Sequence, residues 1–283
     1  MAFHVLTIDE FVDQNPHLFR RLHYHDGVWW DEVYPGLVQP ALKYQELIPG
    51  TRRPAFQHRI LGYRHLLPAG QIGHYSTDYM VLEGDRLREF SLQHLPKGRR
   101  NIVRRGLKNC HIADIDDLEP WLEQARLVCV SHAERGSDTR STFHSRPSFF
   151  IDQAEVWRAQ MRRDFAHQGR RWLGAWYQGQ LVAYLVVLRV GDIAILDKHK
   201  SHTDYLQHFT ADALYYTFLE WLAGDETCRR VYNSSPQRAG LDHFKQQFLF
   251  EPLKVPMYLS RPWLFHGANT VMRLLRRSQK GQS

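Results

Sequence analysis

The chain has 283 residues, of which 43% are hydrophobic and 24% charged, a balance typical of a globular protein with one large domain or two small ones. No apolar run reaches the ~18 residues of a membrane-spanning helix, and Met1 to Asn15 lack the basic start of a secretory signal, so we expect a cytoplasmic protein without a transmembrane segment. Three isolated cysteines, Cys110, Cys129 and Cys228, argue against a disulfide framework and a cysteine-based zinc site.

The net charge is +7, and basic residues concentrate in two segments, Arg99 to Lys108 and Arg273 to Lys280. A basic helix of this kind can hold an anionic partner such as RNA, a phosphorylated cofactor or an acidic lipid surface. The same pattern is also typical of a solvated helix face, so both interpretations stay open here.

Residues 1–94 contain short, weakly patterned elements. Thr7 is a suitable N-cap for a short helix. The aromatic and histidine-rich segment from His23 to Tyr34 predicts a loop or an irregular strand, and the apolar pieces from Phe56 to Leu82 predict strands of a small sheet. Trp30 and its aromatic neighbours could form a wall of an acceptor site or an ordinary part of the core.

The middle of the chain predicts helices separated by a strand and a long loop. Pro96 marks a helix start, and Arg100, Arg104 and Lys108 share one exposed face because they are spaced by one helical turn. The elements that follow are a strand at 110–113, a helix through 130, a surface loop at 135–147 whose length indicates a lid or a mobile segment, and a helix at 153–167.

The last third predicts a strand pair, a long helix and further strands. The apolar runs 172–177 and 181–190 are joined by a turn with Gly179, which is typical of a hairpin. A third strand at 193–196 runs into a polar segment, 197–202, that carries titratable groups. The remaining elements are a helix at 209–222, a strand at 230–234, a short helix with Lys245, and a strand at 254–259.

Three segments in this order resemble the FemAB-like branch of the GNAT acyltransferases. They are the basic helix from Leu95 to Arg105, the hairpin from Gly179 to Tyr184, and the closing element from Gly240 to Pro252. The resemblance implies an α/β fold in which a GNAT-like mixed sheet is flanked by helices, in tandem with a reduced N-terminal GNAT-like half. It places that half at 1–94, an acyltransferase domain at 95–260, and a peripheral helix with a basic tail at 261–283.

The resemblance also implies an enzyme that moves an acyl or aminoacyl group to an amine or hydroxyl of a small-molecule or cell-envelope acceptor. The donor is acyl-CoA as co-substrate, with aminoacyl-tRNA as the alternative. GNAT proteins hold the cofactor diphosphate at a helix start helped by glycines, but the corresponding turn, Asp204 to Ala211, contains none, which argues against CoA. No coiled-coil tRNA arm is evident either, and the compact chain favours acyl-CoA.

Lys245 beside Phe244 is the first candidate for catalysis. The resemblance implies that this lysine stabilises the negative charge of acyl transfer or holds a phosphate of the donor. The alternative is a solvent-facing lysine on a short helix.

His199 and His202 are candidate general bases, and strand alternation predicts that Asp197 and His199 point to one side of their strand. No H-E-x-x-H or cysteine partner accompanies these histidines, so we predict no metal.

The donor and acceptor contacts follow from the same resemblance and from position. Thr210 is the predicted N-cap of the long helix, whose start can bind an anion. The predicted donor contacts are Tyr205, Gln207, Thr210, Arg100 and Arg104. The predicted acceptor contacts are Phe244, Asn233, Ser234 and Trp30.

Two other functional classes remain open on the sequence. One is a non-catalytic binding module that keeps a GNAT-like fold, which the glycine-free turn favours. The other is a basic RNA-binding protein that uses Arg99 to Lys108. Convergence of Lys245, His199 and Asn233 on one open cleft would favour the enzyme, whereas scatter of the three would favour the binding module.

Overall fold

The computed structural model describes residues 4–58, 60–135, 146–236 and 239–261. The chain divides into two compact units, of which the first comprises Met1–Thr7 and Tyr79–Pro252 and the second Ile8–Asp78 and Leu253–Ser283. Residues 136–145 of the predicted loop and 262–283 of the predicted tail lie outside the described residues. The predicted domain boundaries at 94 and 260 stay a prediction.

The strands of the described residues, in chain order, are β1 (Leu22–His25), β2 (Val28–Tyr34), β3 (Leu37–Pro40), β4 (Gly62–Leu66), β5 (Tyr75–Glu83), β6 (His111–Asp114), β7 (Arg170–Tyr177), β8 (Gln180–Val190), β9 (Ile193–Ser201), β10 (Arg230–Tyr232) and β11 (Glu251–Leu259). The α-helices are α1 (Ile8–Gln14), α2 (Asp85–Arg88), α3 (Lys97–Asn109), α4 (Leu122–Glu134), α5 (Pro147–Asp152), α6 (Ala154–Phe165), α7 (Thr210–Ala223) and α8 (Ala239–Gln246). Single 3-10 turns occupy Pro16–Leu18, Phe56–His58, Leu92–His94, Glu119–Trp121 and Thr203–His208.

The sheet of the first unit is mixed. Strands β6, β7, β8 and β9 pair antiparallel in sequence order, β10 pairs parallel with β9, and the end of β5 pairs antiparallel with β10. The hairpin turn at Gln178 and Gly179 has positive φ at both residues, which matches the twist of a two-residue connection. The predicted hairpin and its third neighbouring strand are therefore present.

Helices cover both faces of this sheet. Helices α3 and α7 pack on one face, where the core includes Val103, Leu185 and Phe218. Helices α4, α5 and α6 pack on the other, where the core includes Val128, Trp157 and Tyr184. Because both faces are covered, every residue of β8 after its first is buried, which explains its unbroken apolar sequence.

The pairing between β9 and β10 ends midway along β9. Their pairing ends with Tyr232 opposite Ile195, whereas β9 continues beside β8 as far as Ser201. Helix α7 connects the two strands. The second half of β9 and the residues after β10 therefore face a gap in the sheet, and the polar candidates lie around it.

The sheet of the second unit is built from β1, β2, β3, β4 and the end of β11. The predicted loop or irregular strand at His23 to Tyr34 is instead a regular hairpin, in which Asp26 and Gly27 both have positive φ. Trp30 is fully buried beside Tyr63, so it is a core residue here and not part of an acceptor wall. A GNAT-like origin of this unit stays a prediction.

All three cysteines are buried free thiols. Among the helices described, none is long and apolar enough to cross a membrane. Within the same residues, no group of three or more histidine, cysteine or carboxylate side chains could hold a metal ion.

Candidate functional site

The residues that follow β10 carry two polar side chains into the gap of the first sheet. Asn233 is 5% exposed, and its backbone N–H donates to the carbonyl of Met80, while the N–H of Met80 donates to the carbonyl of Ser234. Ser234 has a φ of 51°, a left-handed conformation that is uncommon outside glycine. The same conformation occurs at Asp26 and Gln178 in hairpin turns of this chain, so at Ser234 it marks a tight turn held by the surrounding structure.

The ammonium of Lys245 lies beside these residues. The residue is 5% exposed although it lies on the short helix α8, and its Nζ donates to Ser234 Oγ at 2.8 Å. Burial lowers the pKa of this ammonium from its usual value, and the carboxylate of Asp242, 4.0 Å away, opposes that shift. Lys245 is therefore not the solvent-facing lysine of the alternative interpretation.

Tyr215 of α7 contacts Asn233 and Phe244 on one side and His199 of β9 on the other. The Asn233 amide donates to its hydroxyl at 3.4 Å, and its ring packs edge-on against Phe244 at 5.0 Å and against His199 at 5.4 Å. Burial raises the pKa of Tyr215 to about 12, so the phenol stays protonated. Lys245 bonds Ser234, which follows Asn233, and both Asn233 and His199 contact Tyr215. We call this chain of contacts the Lys245 cluster; Lys245, Asn233 and His199 are not among the residues that line the cavity described below.

His199 is held neutral in this cluster. Burial lowers its pKa to about 3, and the nearby positive groups His132, Lys200 and Arg135 add to the effect. Its Nε2 shares a hydrogen bond of 3.0 Å with Ser201 Oγ. A histidine with this pKa is a weak base at neutral pH, so His199 is better suited to position Tyr215 than to accept a proton.

The predicted alternation along β9 is wrong at Asp197. The register with β8 shifts between Leu196 and Lys198, so Asp197 is an extra, bulged residue that changes the side of the strand on which later residues lie. Asp197 lies 3.5 Å from the guanidinium of Arg170, which bonds Asp164 at 2.7 Å, and Lys198 bonds that same carboxylate. Asp197 therefore shares an ion-pair network with Lys198, whereas His199 faces α7.

His202 borders a separate opening of the first unit. A cavity of about 540 Å³ lies between the end of α4 and the turn after β9, and its lining residues are Leu127, Val130, Ser131, Glu134, Arg135, His202, Thr203 and Asp204. His202 Nδ1 accepts a hydrogen bond from the backbone N–H of Asp204 at 3.4 Å. Arg135 lines this cavity and is also one of the charged groups that lower the pKa of His199.

The start of α7 differs from the prediction. Phe209, with a left-handed φ of 59°, is the N-cap and supplies no side-chain hydrogen bond. Thr210 is the first helical residue, fully buried, and its hydroxyl has no partner among the described residues. The predicted N-cap at Thr210 is wrong because the left-handed residue before it sets the helix start one position earlier.

An internal ion pair occupies this helix start. Asp212 in the first turn is 7% exposed, and its carboxylate accepts a hydrogen bond from Arg99 of α3. Burial raises the pKa of Asp212, and Arg99 opposes that shift. The Arg99 guanidinium also lies over the rings of Phe244 and Phe248, which connects the helix start to α8.

Helix α3 packs directly across the same helix start. A Cβ on Gly106 would lie 2.6 Å from the carbonyl oxygen of Phe209 and 3.2 Å from the Cβ of Ala213. Arg105 adds a guanidinium 4.5 Å from the centre of the Phe209 ring. A donor diphosphate needs open N–H groups at a helix start, so the tight packing beside Phe209 and the Asp212 carboxylate in the first turn are both unfavourable to one.

The other predicted donor contacts lie on the surface around this point. The Tyr205 hydroxyl donates to the side chain of Gln180 at 2.9 Å, and Gln207 is exposed in the same 3-10 turn. Arg104 is exposed and Arg100 half-buried on α3, and neither guanidinium pairs with a carboxylate among the residues described. They remain available to an anionic partner.

Sequence reasoning ranked some members of this site too low. The sequence pattern is typical of a core position for Tyr215, it treats Arg99 only as part of the basic segment 99–108, and it gives Asp212 no role. The available signal was Asp212 itself, because a carboxylate in an otherwise apolar helix needs a buried partner. The partner lies far away in the sequence, on α3, and a one-dimensional pattern does not identify it.

No family profile and no curated protein match the sequence. Among solved structures, the C-terminal domain of a protein assigned as a lysylphosphatidylglycerol synthetase from Agrobacterium fabrum matches with a TM-score of 0.57 at 8% identity, over 97% of this chain and 92% of that one. L-PGS from Bacillus licheniformis matches with a TM-score of 0.50 at 10% identity, over 92% and 89%. A weaker match is a tandem GNAT protein from the clavulanic acid biosynthesis pathway, with a TM-score of 0.43 at 14% identity, over 81% and 77%.

At identities this low the likeness concerns the fold alone. The predicted FemAB-like branch stays a prediction. The predicted α/β fold, with a mixed sheet flanked by helices, is confirmed, and the two lysylphosphatidylglycerol synthetase structures share this fold.

Proposed function

We propose that this chain is an acyltransferase, which moves an acyl or aminoacyl group from an activated donor to an amine or hydroxyl acceptor at the Lys245 cluster. The observation that carries the proposal is the ammonium of Lys245, buried and directed at Ser234 Oγ beside Asn233. Burying a charge is costly, and a lysine on a short surface helix has an easy alternative in solvent. A role in stabilising charge during a reaction accounts for its position.

The chemistry requires one bond to form and one to break. A lone pair of the acceptor attacks the donor's carbonyl carbon, and the carbonyl π electrons move onto the oxygen. Lys245 stabilises that oxyanion. The carbonyl then re-forms as the bond to the carrier breaks, and the acceptor's proton leaves to a base. His202 at the cavity rim is our candidate for that base.

The substrates are proposed at the level of class. Acyl-CoA and aminoacyl-tRNA both remain donors of this proposal, and the free edge of β9 beyond Ile195 suits an extended, amide-bearing arm. Two similar folds bear the names lysylphosphatidylglycerol synthetase and L-PGS, which supports a hydroxyl of the cell envelope as one acceptor class. Membership of the FemAB-like branch and a cytoplasmic location are part of the same proposal.

A donor screen tests the proposal. A ligand that binds only the folded state raises the melting temperature, so acyl-CoAs and charged tRNAs are compared on the wild type and on Lys245→Met. Stabilisation by one donor class, followed by acyl transfer to an amine or hydroxyl, supports the function. Stabilisation without any transfer would favour the non-catalytic binding module.

A further inference from the structure

The start of α7 carries its own anion. The Asp212 carboxylate lies in the first turn of the helix, where it accepts a hydrogen bond from Arg99. A negative group at this position satisfies the partial positive charge of the helix start. A second anion, such as a diphosphate, would meet a carboxylate where it needs donors.

The packing beside this helix start is tight. Thr210 is fully buried, and α3 approaches so closely that a Cβ on Gly106 would lie 2.6 Å from the carbonyl oxygen of Phe209. Phe209 takes up the left-handed conformation with a large side chain, where a phosphate-binding turn would use glycine for close backbone approach. The Asp212 carboxylate and the close packing around Phe209 therefore both disfavour a diphosphate at this helix start.

We infer that the Asp212–Arg99 pair is a specificity determinant that closes the start of α7 to the diphosphate of a CoA-type donor. The donor is recognised through its acyl group and the arm next to it, which makes acyl thioesters or esters without a diphosphate contact at α7 the substrate class. This inference rests on the proposed acyl transfer for its biological meaning. The closure itself is a property of the folded chain and is measurable without turnover.

Amide NMR of the full chain tests the closure. CoA and pantetheine, which lacks the diphosphate, are titrated separately while the backbone signals of Thr210, Ala211 and Asp212 are followed. In the wild type we expect neither ligand to move these signals. In Asp212→Asn, where the carboxylate charge is gone and Arg99 has lost its anionic partner, we expect CoA but not pantetheine to move them saturably.

Two further variants complete the design. Asp204→Asn removes an exposed carboxylate close to the same turn, and we expect it to behave as the wild type. Arg99→Met keeps the Asp212 carboxylate, so CoA should not shift the three amide signals in this variant either. Its melting temperature should be lower, because the buried carboxylate loses its partner.

Each outcome decides the inference. A saturable shift of the three amide signals by CoA in the wild type would overturn it. A folded Asp212→Asn variant in which CoA shifts none of these signals would overturn it as well. If the wild type is silent and Asp212→Asn responds, the inference stands. Absence of acyl transfer with every donor would instead remove the proposed function while leaving the amide result intact.

Discussion

At the scale of single residues, Lys245 combines a stability cost with a proposed catalytic role. Its charge is removed from water and is compensated by Ser234 Oγ and, at 4.0 Å, by Asp242. Replacing a whole buried ion pair by apolar side chains of similar volume is often neutral or stabilising by about 1–4 kcal/mol. Lys245→Met removes only the ammonium, but the Asp242 carboxylate that remains is 21% exposed and can be solvated by water. We therefore expect Lys245→Met to keep or raise the free energy of unfolding, measured with urea at pH 7.

The control for this substitution is Lys254→Met, at an exposed position. It should change the free energy of unfolding by no more than about 0.5 kcal/mol. A large loss of stability in Lys245→Met alone would mean that the ammonium holds the fold together, and the catalytic interpretation would lose its main support.

His199 gives a prediction about pH. Its pKa is about 3 in the folded state and near 6.5 in the unfolded chain, so acid favours the unfolded state, which takes up a proton that the folded state does not. At pH 5 this costs about 2 kcal/mol, from 1.5 pH units at about 1.4 kcal/mol each. His199→Phe should remove that loss, so its unfolding free energy should fall less between pH 7 and pH 5.

The comparison uses urea unfolding of both proteins at the two pH values. His243→Gln, at an exposed position of α8, serves as the control and should leave the pH dependence of the wild type unchanged. Equal pH slopes for the wild type and His199→Phe would show that His199 titrates normally in the folded protein.

Part of the site was predictable from residue pattern and resemblance. Asn233 and Ser234 lie at the end of a strand that the sequence predicts, Lys245 lies in a predicted short helix, and the structure brings Lys245 and Ser234 together. The errors at Thr210 and Asp197 have one physical origin, because a left-handed residue and a bulge each displace the local periodicity by one residue. Tertiary contacts stabilise such irregularities, and a pattern along the chain does not reveal them.

At the scale of elements, the contact of α3 with α7 depends on one glycine. Alanine is favoured over glycine in a helix by about 1 kcal/mol, yet a Cβ on Gly106 would lie 2.6 Å from a backbone oxygen. Since backbone cannot move aside as a flexible side chain can, we expect Gly106→Ala to destabilise the protein by about 1–3 kcal/mol.

Gly98 of the same helix is the matched control. Nothing lies within 4 Å of a Cβ built there, so Gly98→Ala should raise stability by up to about 1 kcal/mol. Thermal unfolding of the two variants measures both signs. If both alanines stabilise the protein, α3 does not lie against the start of α7 as described.

The exposed face of α3 gives a prediction about binding. Replacing Arg100, Arg104 and Lys108 with glutamine should weaken an anionic donor or acceptor and flatten the salt dependence of its affinity. Stability should change little, because exposed charges contribute only about 0–1 kcal/mol each. Salt titration of the affinity for a charged tRNA or a CoA thioester is the measurement.

Arg163→Gln provides the control for that experiment, since Arg163 is exposed on α6, which packs on the other face of the sheet. It should leave affinity and salt dependence unchanged. An unaltered affinity of the triple variant at low salt would show that the α3 face is merely solvated, and the RNA-binding alternative would fail with it.

At the scale of the whole molecule, the strands and helices were easier to predict from the sequence than the division of the chain into two compact units. The long apolar strands β7 and β8 and helix α7 are strongly patterned, and the structure contains them close to their expected limits. The hairpin of β1 and β2 was missed because its aromatic and polar residues give no clear alternation. The division into two discontinuous units arises from contacts between distant segments, which a reading along the chain does not detect.

The central claim is that the Lys245 cluster is the centre of an acyl transfer, and a transfer assay tests it most directly. Labelled acyl-CoAs and aminoacyl-tRNAs are offered with amine and hydroxyl acceptors to the wild type and to Lys245→Met. We predict product from at least one donor class in the wild type, and a kcat lowered about 10²–10³-fold in the variant with little change in donor KM. Equal turnover by the variant, or no product from any donor, would contradict the claim.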